Sequence, residues 1–245
     1  MMTLVRNELL KLRTTTTVRR VVLGALALAA VLSAATVANA DKEVAEGLGS
    51  AESWTHVLGV SGLPAFAMLT IGIIAMAGEY QHRTITQTFL VTPIRGRVVA
   101  AKLAALAVAG VVVAAAVMTT ALLFALPGTW SGGIDVLHAE VGRTVAGNLA
   151  AGALFGVLGV ALGALLRNQL AAVILAVGWG LLAEGVIATV AGWEVARWLP
   201  GGATQSLLWG GEDLLPVGAA AAMLAAYAVV LAAVATRATV RRDVT

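Results

Sequence analysis

The chain contains no cysteine. That excludes disulfides and thiolate metal sites and says nothing about compartment. Charge is scarce as well: 12% of the 245 residues are Asp, Glu, Lys or Arg, where a soluble domain carries about 25%. A soluble fold of this length could bury one good core but would lack the charges to cover it. The few lysines follow Leu10, Asp41 and Ala101. A P-loop needs its lysine directly after a glycine, where it reaches the phosphates, so there is no Walker A motif. No His-Glu-x-x-His occurs, and His56, His82 and His138 lie in separate segments. No metal site and no nucleic-acid partner are expected.

What remains is apolar, 60% hydrophobic with a mean hydropathy of +0.92. A helix needs about 20 predominantly apolar residues to cross ~30 Å of hydrocarbon. Six stretches qualify, at about 21–40, 57–77, 103–126, 144–166, 170–190 and 216–235. The fourth and fifth are separated only by Arg167-Asn168-Gln169. With the N-terminus inside, all but Lys42, Arg143 and Arg197 of the 16 basic residues fall on the cytoplasmic side, as the positive-inside rule requires. Trp54, Trp130, Trp193, Trp198 and Trp209 fall at or beyond the outer boundary, like an aromatic belt. The expected fold class is an all-α integral membrane protein of six transmembrane helices with both termini cytoplasmic. Lysine is scarce beside arginine and alanine is abundant, as in GC-rich bacterial genomes, so the expected location is a bacterial plasma membrane. A basic leader with Arg19-Arg20, an apolar run and Ala38-Asn39-Ala40 together resemble a cleaved signal peptide. The run reaches full span length, however, and a retained helix is the expectation.

Several local patterns have two readings. Gly59-Val60-Ser61-Gly62 spells GxSG, but a serine nucleophile needs a base within reach and no histidine follows His138; small residues for helix packing are the plainer reading. Gly152, Gly156, Gly159 and Gly163 repeat a small-x-x-x-small spacing that lets helices approach closely, within one subunit or between two. Glu184 is the one acid well inside an expected span. Intramembrane charge suggests function, here a candidate for a translocation path. Yet Glu184 lies roughly 21 Å of helix rise beyond Leu170, where it could simply face water in an outer vestibule. Residues 191–215, rich in Trp, Pro and Gly, suit a re-entrant hairpin at the outer surface, because irregular backbone at membrane depth needs protein or water to satisfy it.

Residues 1–20 suggest an amphipathic helix along the inner leaflet. Met2, Val5, Leu9 and Leu12 share one face, with Asn7, Glu8 and Lys11 roughly opposite. Residues 78–102 form the longest expected cytoplasmic link. In it Ile85, Thr88, Phe89 and Thr92 share a helical face, and Pro93 stops that helix at about Thr92. Arg95-Gly96-Arg97 then makes a basic turn. A short surface helix with an apolar knob at Phe89 is a handle for a cytosolic partner.

The order Glu79…Thr84…Phe89-Leu90…Thr92-Pro93…Arg95…Arg97…Lys102 resembles the loop between the second and third spans of ABC-2 type transporter permeases. The amphipathic N-terminal helix, the six spans and a hydrophobic hairpin before the last span extend that resemblance over most of the chain. Arg83 stands where the family usually has glycine, and Phe89-Leu90 replaces Leu-Leu. The resemblance implies a permease subunit, paired as a homodimer, with a separate ABC ATP-binding subunit that holds the ATP and Mg. It makes 85–92 the coupling helix and Glu79, Arg83, Thr84, Ile85, Phe89, Thr92, Arg95 and Arg97 the residues that meet the ATPase. Val5, Leu9 and Leu12 would seat the interfacial helix at the membrane lipid beside the coupling helix, and both helices would dock on the ATPase. The implied activity is export of a hydrophobic drug, antibiotic or lipid-like compound, as in multidrug efflux, with no enzyme chemistry in this chain. An ion-coupled carrier and a non-transporting membrane anchor or sensor are the alternatives.

Overall fold

The computed structural model describes residues 1–38, 57–58, 62–125, 139–211 and 213–241. Gly59, Val60 and Ser61, Asn39 and Ala40, Lys42, Trp54, Trp130, His56, His138 and Arg242 lie outside the described residues, as do the far ends of the first and third expected spans.

Regular structure among the described residues is helical throughout. Helix α1 (Met2–Thr14) ends at Thr15, whose extended backbone turns the chain into α2 (Thr16–Ala38). Gly62, at φ 72°, lets the chain enter α3 (Leu63–Gln81), which carries Pro64 in its first turn, where the missing N–H costs no intrahelical bond. After the turn at Arg83 comes α4 (Ile85–Val91); Thr92 is extended there, as a residue before proline prefers. Then come α5 (Arg95–Ala125) and α6 (Ala139–Leu166). Arg167, at φ 52°, closes the hairpin, and the Asn168 side chain accepts the Ala171 N–H at 3.0 Å, capping α7 (Gln169–Gly178). A π-helical turn, Trp179–Ala183, joins α7 to α8 (Glu184–Ala191). Gly192, at φ 84°, breaks the rod. Short helices α9 (Trp193–Ala196) and α10 (Pro200–Leu208) precede α11 (Val217–Arg241).

Among the described residues, six helices are long and apolar enough to cross a membrane: α2, α3, α5, α6, the α7–α8 rod and α11. Burial sorts them. The apolar windows of α3 and α6 are 61% and 56% buried, that of the α7–α8 rod 11%, so α3 and α6 form the centre and the rod lies at the periphery. Two boundaries differ from the sequence reading. Residues 57–77 were expected to span, but α3 starts at Leu63, because Gly62 and Pro64 set its first turn. Residues 95–102 were expected to be loop, but they form the first two turns of α5. Pro93 ends the helix before it, and nothing between Ile94 and Lys102 breaks a new one.

The glycine stripe of α6 explains the tight centre. Gly152 and Gly156 face α5: a Cβ on either would stand 2.7 Å from the carbonyl oxygen of Gly110 or of Leu106. Gly159 and Gly163 face α3, against Leu69, Ile73 and Ala77. Opposite them, a Cβ on Gly72 would lie 2.5 Å from Gly156 O. These are backbone-to-backbone approaches that no side-chain motion could relieve. The stripe therefore holds α3, α5 and α6 together inside one chain.

Candidate functional site

At the end of the bundle where α1 lies, four charged side chains from three helices meet. Lys102, in the second turn of α5, is 1% exposed. Its Nζ donates to Glu8 Oε2 of α1, to Glu79 Oε1 of α3 at 3.0 Å and to the Ala75 carbonyl at 3.1 Å. Three donors meet three acceptors, the full capacity of an ammonium. Lys11, one turn beyond Glu8, bridges the same two carboxylates at 2.7 and 2.9 Å. The junction thus balances two negative charges with two positive ones, which burial demands. Burial pushes the Glu8 carboxyl up, but Lys102 and then Lys11 outweigh it and hold it below its ordinary value. Burial likewise pushes the Lys11 amine down, and its bonds to Glu8 and Glu79 hold it above its ordinary value.

This corrects the face assigned to α1. Glu8 was expected opposite the apolar stripe, but it is buried beside Leu12. Leu12 lies in the core cluster with Ile85 and Val99, and Val5 and Leu9 pack against that cluster. Met2 is 89% exposed. Helix α1 therefore turns a mixed face, apolar at Val5 and Leu12 and ionic at Glu8, onto the bundle. Sequence reasoning missed Glu8 and Lys11 as functional candidates. The signal that could have found them is a carboxylate three residues before a lysine on a helix whose apolar stripe it flanks.

Helix α4 also turns inward. Ile85 is buried, and Phe89 packs against the same cluster with the Arg95 guanidinium 5.5 Å from its ring centroid. Thr88 and Thr92 are half-buried, and Arg83, Thr84 and Arg97 are exposed. The face that the sequence reading offered to a partner is thus the one that seats α4 on the bundle. The residues that project are Leu90 and Val91, 79% and 85% exposed, with Ile94 beside them. Of the expected coupling set, the structure gathers Glu79, Ile85, Phe89 and Arg95 near the junction and leaves Arg83, Thr84 and Arg97 on the surface. At the same end of the bundle, Arg167 lies over the Tyr80 ring at 4.9 Å.

Glu184 sits far from this junction. The π turn adds a residue to the helical repeat and brings Trp179 and Glu184 onto one face, so that Trp179 Nε1 donates to Glu184 Oε1 at 2.8 Å. Both carboxylate oxygens accept the Gly201 N–H, at 3.1 and 2.9 Å. Glu184 thus caps the positive end of α10. The other end of α10 is tied to α6: Thr144 Oγ1 donates to the Leu208 carbonyl at 2.7 Å and Arg143 Nη2 to that of Trp209. Residues 202–204 and 206–208 of α10 are buried. The expected hairpin is therefore two short helices, the second pinned at both ends within the bundle.

A protein-family profile described as "ABC-2 family transporter protein" matches residues 4–182, well over half of the chain. The match includes all four junction residues and the glycine stripe and ends just before Glu184. A search of the curated proteins finds no match.

Proposed function

Because the chain belongs to the ABC-2 transporter family, we propose that it is the permease of an ATP-driven exporter, with ATP and Mg bound by a separate ATP-binding subunit. Two permeases and two ATPases form the working unit in this reading. Both termini face the cytoplasm of a bacterium, and the cargo is a hydrophobic drug, antibiotic or lipid-like compound. The observation that carries the proposal is the junction. It locks α1, α3 and α5 together where α4 presents Leu90 and Val91 to the outside. A push on α1 therefore reaches two membrane-crossing helices through short ionic contacts, and a push on α4 reaches the same two helices through the apolar packing of Ile85 and Phe89. A chain with no P-loop needs such a receiver. An ion-coupled carrier would want a free ionisable group within a span, whereas Glu184 is engaged in capping α10.

The test is co-purification of the ATPase with Leu90→Asp/Val91→Asp. Placing charge in an apolar contact of this kind should weaken association by roughly 30-fold or more, the scale of an interface hot spot, while membrane insertion stays normal. Phe89→Asp should act differently, unseating α4 and lowering the stability of the permease by itself. ATPase recovery at the native level with the Leu90/Val91 variant would refute the docking role of α4.

A further inference from the structure

A second feature of the same end is a cleft of about 600 Å³ between the α1–α2 elbow and the faces of α3 and α5, within the range of ligand-binding clefts, roughly 300–1,000 Å³. Its polar part comes from two arginines, Arg13 in the last turn of α1 and Arg19 in the first turn of α2. Both are exposed, and neither makes an ion pair or a side-chain hydrogen bond among the described residues. The remaining walls are apolar. Met68 and Ile71 of α3 form a fully buried floor, Val113 of α5 lines one side, and Leu23 of α2, 63% exposed, stands at the rim.

The dimensions fit one kind of occupant. Arg13 and Arg19 lie where α2 enters its apolar stretch, the level of lipid headgroups. Roughly 20 Å of helix rise separates Met68 from the end of α3 at Gln81, comparable with one leaflet, half of the ~30 Å hydrocarbon core. We propose that this cleft is a binding site for one anionic phospholipid, its phosphate held between Arg13 and Arg19 and an acyl chain laid along α2, α3 and α5. Arginine pairs suit phosphate because the planar guanidinium donates two parallel hydrogen bonds. Two cations without an internal partner also select a headgroup with net negative charge over a zwitterionic one. The site requires only that the helices cross a membrane, and it is independent of the docking role proposed for α4.

The absence of cysteine makes the experiment direct. The full chain carrying Leu23→Cys, labelled with an environment-sensitive fluorophore, is titrated in detergent micelles with phosphatidylglycerol or phosphatidylcholine brominated on the acyl chains. Quenching should appear at lower mole fraction with phosphatidylglycerol. Adding Arg13→Gln/Arg19→Gln should remove that preference, roughly ten-fold or more, the combined scale of two basic side chains on an anionic lipid surface. Arg237→Gln/Arg241→Gln, distant in sequence but also basic, should leave it intact. Equal quenching by the two lipids with native arginines would overturn the proposal, whether or not the double variant folds. So would equal loss in the control, which would mean diffuse attraction to the basic end. Displacement of the bromolipid by an uncharged hydrophobic compound as readily as by phosphatidylglycerol would also overturn it, assigning the cleft to cargo.

Discussion

Replacing Lys102 with methionine is the sharpest perturbation of the junction. The side chain keeps its length and apolar stem but loses the ammonium that donates to Glu8, Glu79 and Ala75 O. Two carboxylates then face one another in a buried site, with only Lys11 to offset them. Lys11 is partly exposed and cannot take the place of a fully buried cation. Breaking a buried pair by removing one partner costs about 3–5 kcal/mol, because the charges left behind are uncompensated. For a chain of this size that corresponds to a fall in Tm on the order of 10 °C. The triple variant Glu8→Gln/Glu79→Gln/Lys102→Met removes the stranded charges and should recover most of the loss, since apolar or neutral replacement of a whole buried network is often nearly neutral.

The assay is thermal unfolding of the purified chain in detergent, followed by helical circular dichroism, beside ATP-dependent transport in vesicles containing both subunits. Stability and coupling should separate: the triple variant regains Tm but not transport, because the ionic link between α1 and α5 is gone. If Lys102→Met alone unfolds within about 2 °C of the native chain, the burial argument fails. If the triple variant transports normally, the junction is only a structural clasp.

Three further outcomes follow from the same geometry. Gly159→Ala and Gly72→Ala should each cost about 1–3 kcal/mol or more through overpacking against backbone, whereas Gly24→Ala, with open space around it, should not; a neutral Gly159→Ala in thermal unfolding would contradict the packing described for α6. Glu184→Ala should loosen α10 by about 0.5–2 kcal/mol, the value of a lost N-cap, and Gly201→Ala should mimic it because the new Cβ would meet the Glu184 carboxylate; unchanged trypsin cleavage at Arg197 in both would count against the capping role. For pH, the lowered Glu8 value means its stabilisation is complete above the ordinary carboxylate range and lost as pH falls through the folded value. The raised Lys11 value means its stabilisation is complete below the ordinary lysine range and lost as pH rises through the folded value. A fluorophore on Met2→Cys should therefore report a docked α1 across neutral pH, and release of α1 between about pH 6 and 8 would break this reasoning.

The six spans were legible because hydrophobic length is a property of single segments, and lipid imposes it on each helix separately. Direction of burial was less legible. Along α4 the periodicity identified the inward face at Ile85 and Phe89, and along α1 it placed Val5, Leu9 and Leu12 but not Met2 or Glu8. Lipid, bundle and partner protein are all acceptable destinations for an apolar face. Phe89 was read as the knob offered outward, and the structure packs it, half-buried, against the bundle beneath Arg95 while Leu90 and Val91 project. Glu8 was placed opposite the apolar stripe of α1. It is buried because Lys102, 94 residues away, supplies the compensating charge, and no local pattern carries that pairing. Glu184 failed in the opposite way: its cost in a span was foreseen, but its partner, the Gly201 N–H, exists only once α10 folds back beside it. In a chain with so few charges each one buried needs its own counterpart. Glu8 and Glu79 find it in Lys102 and Lys11, and Glu184 in the N-terminal end of α10.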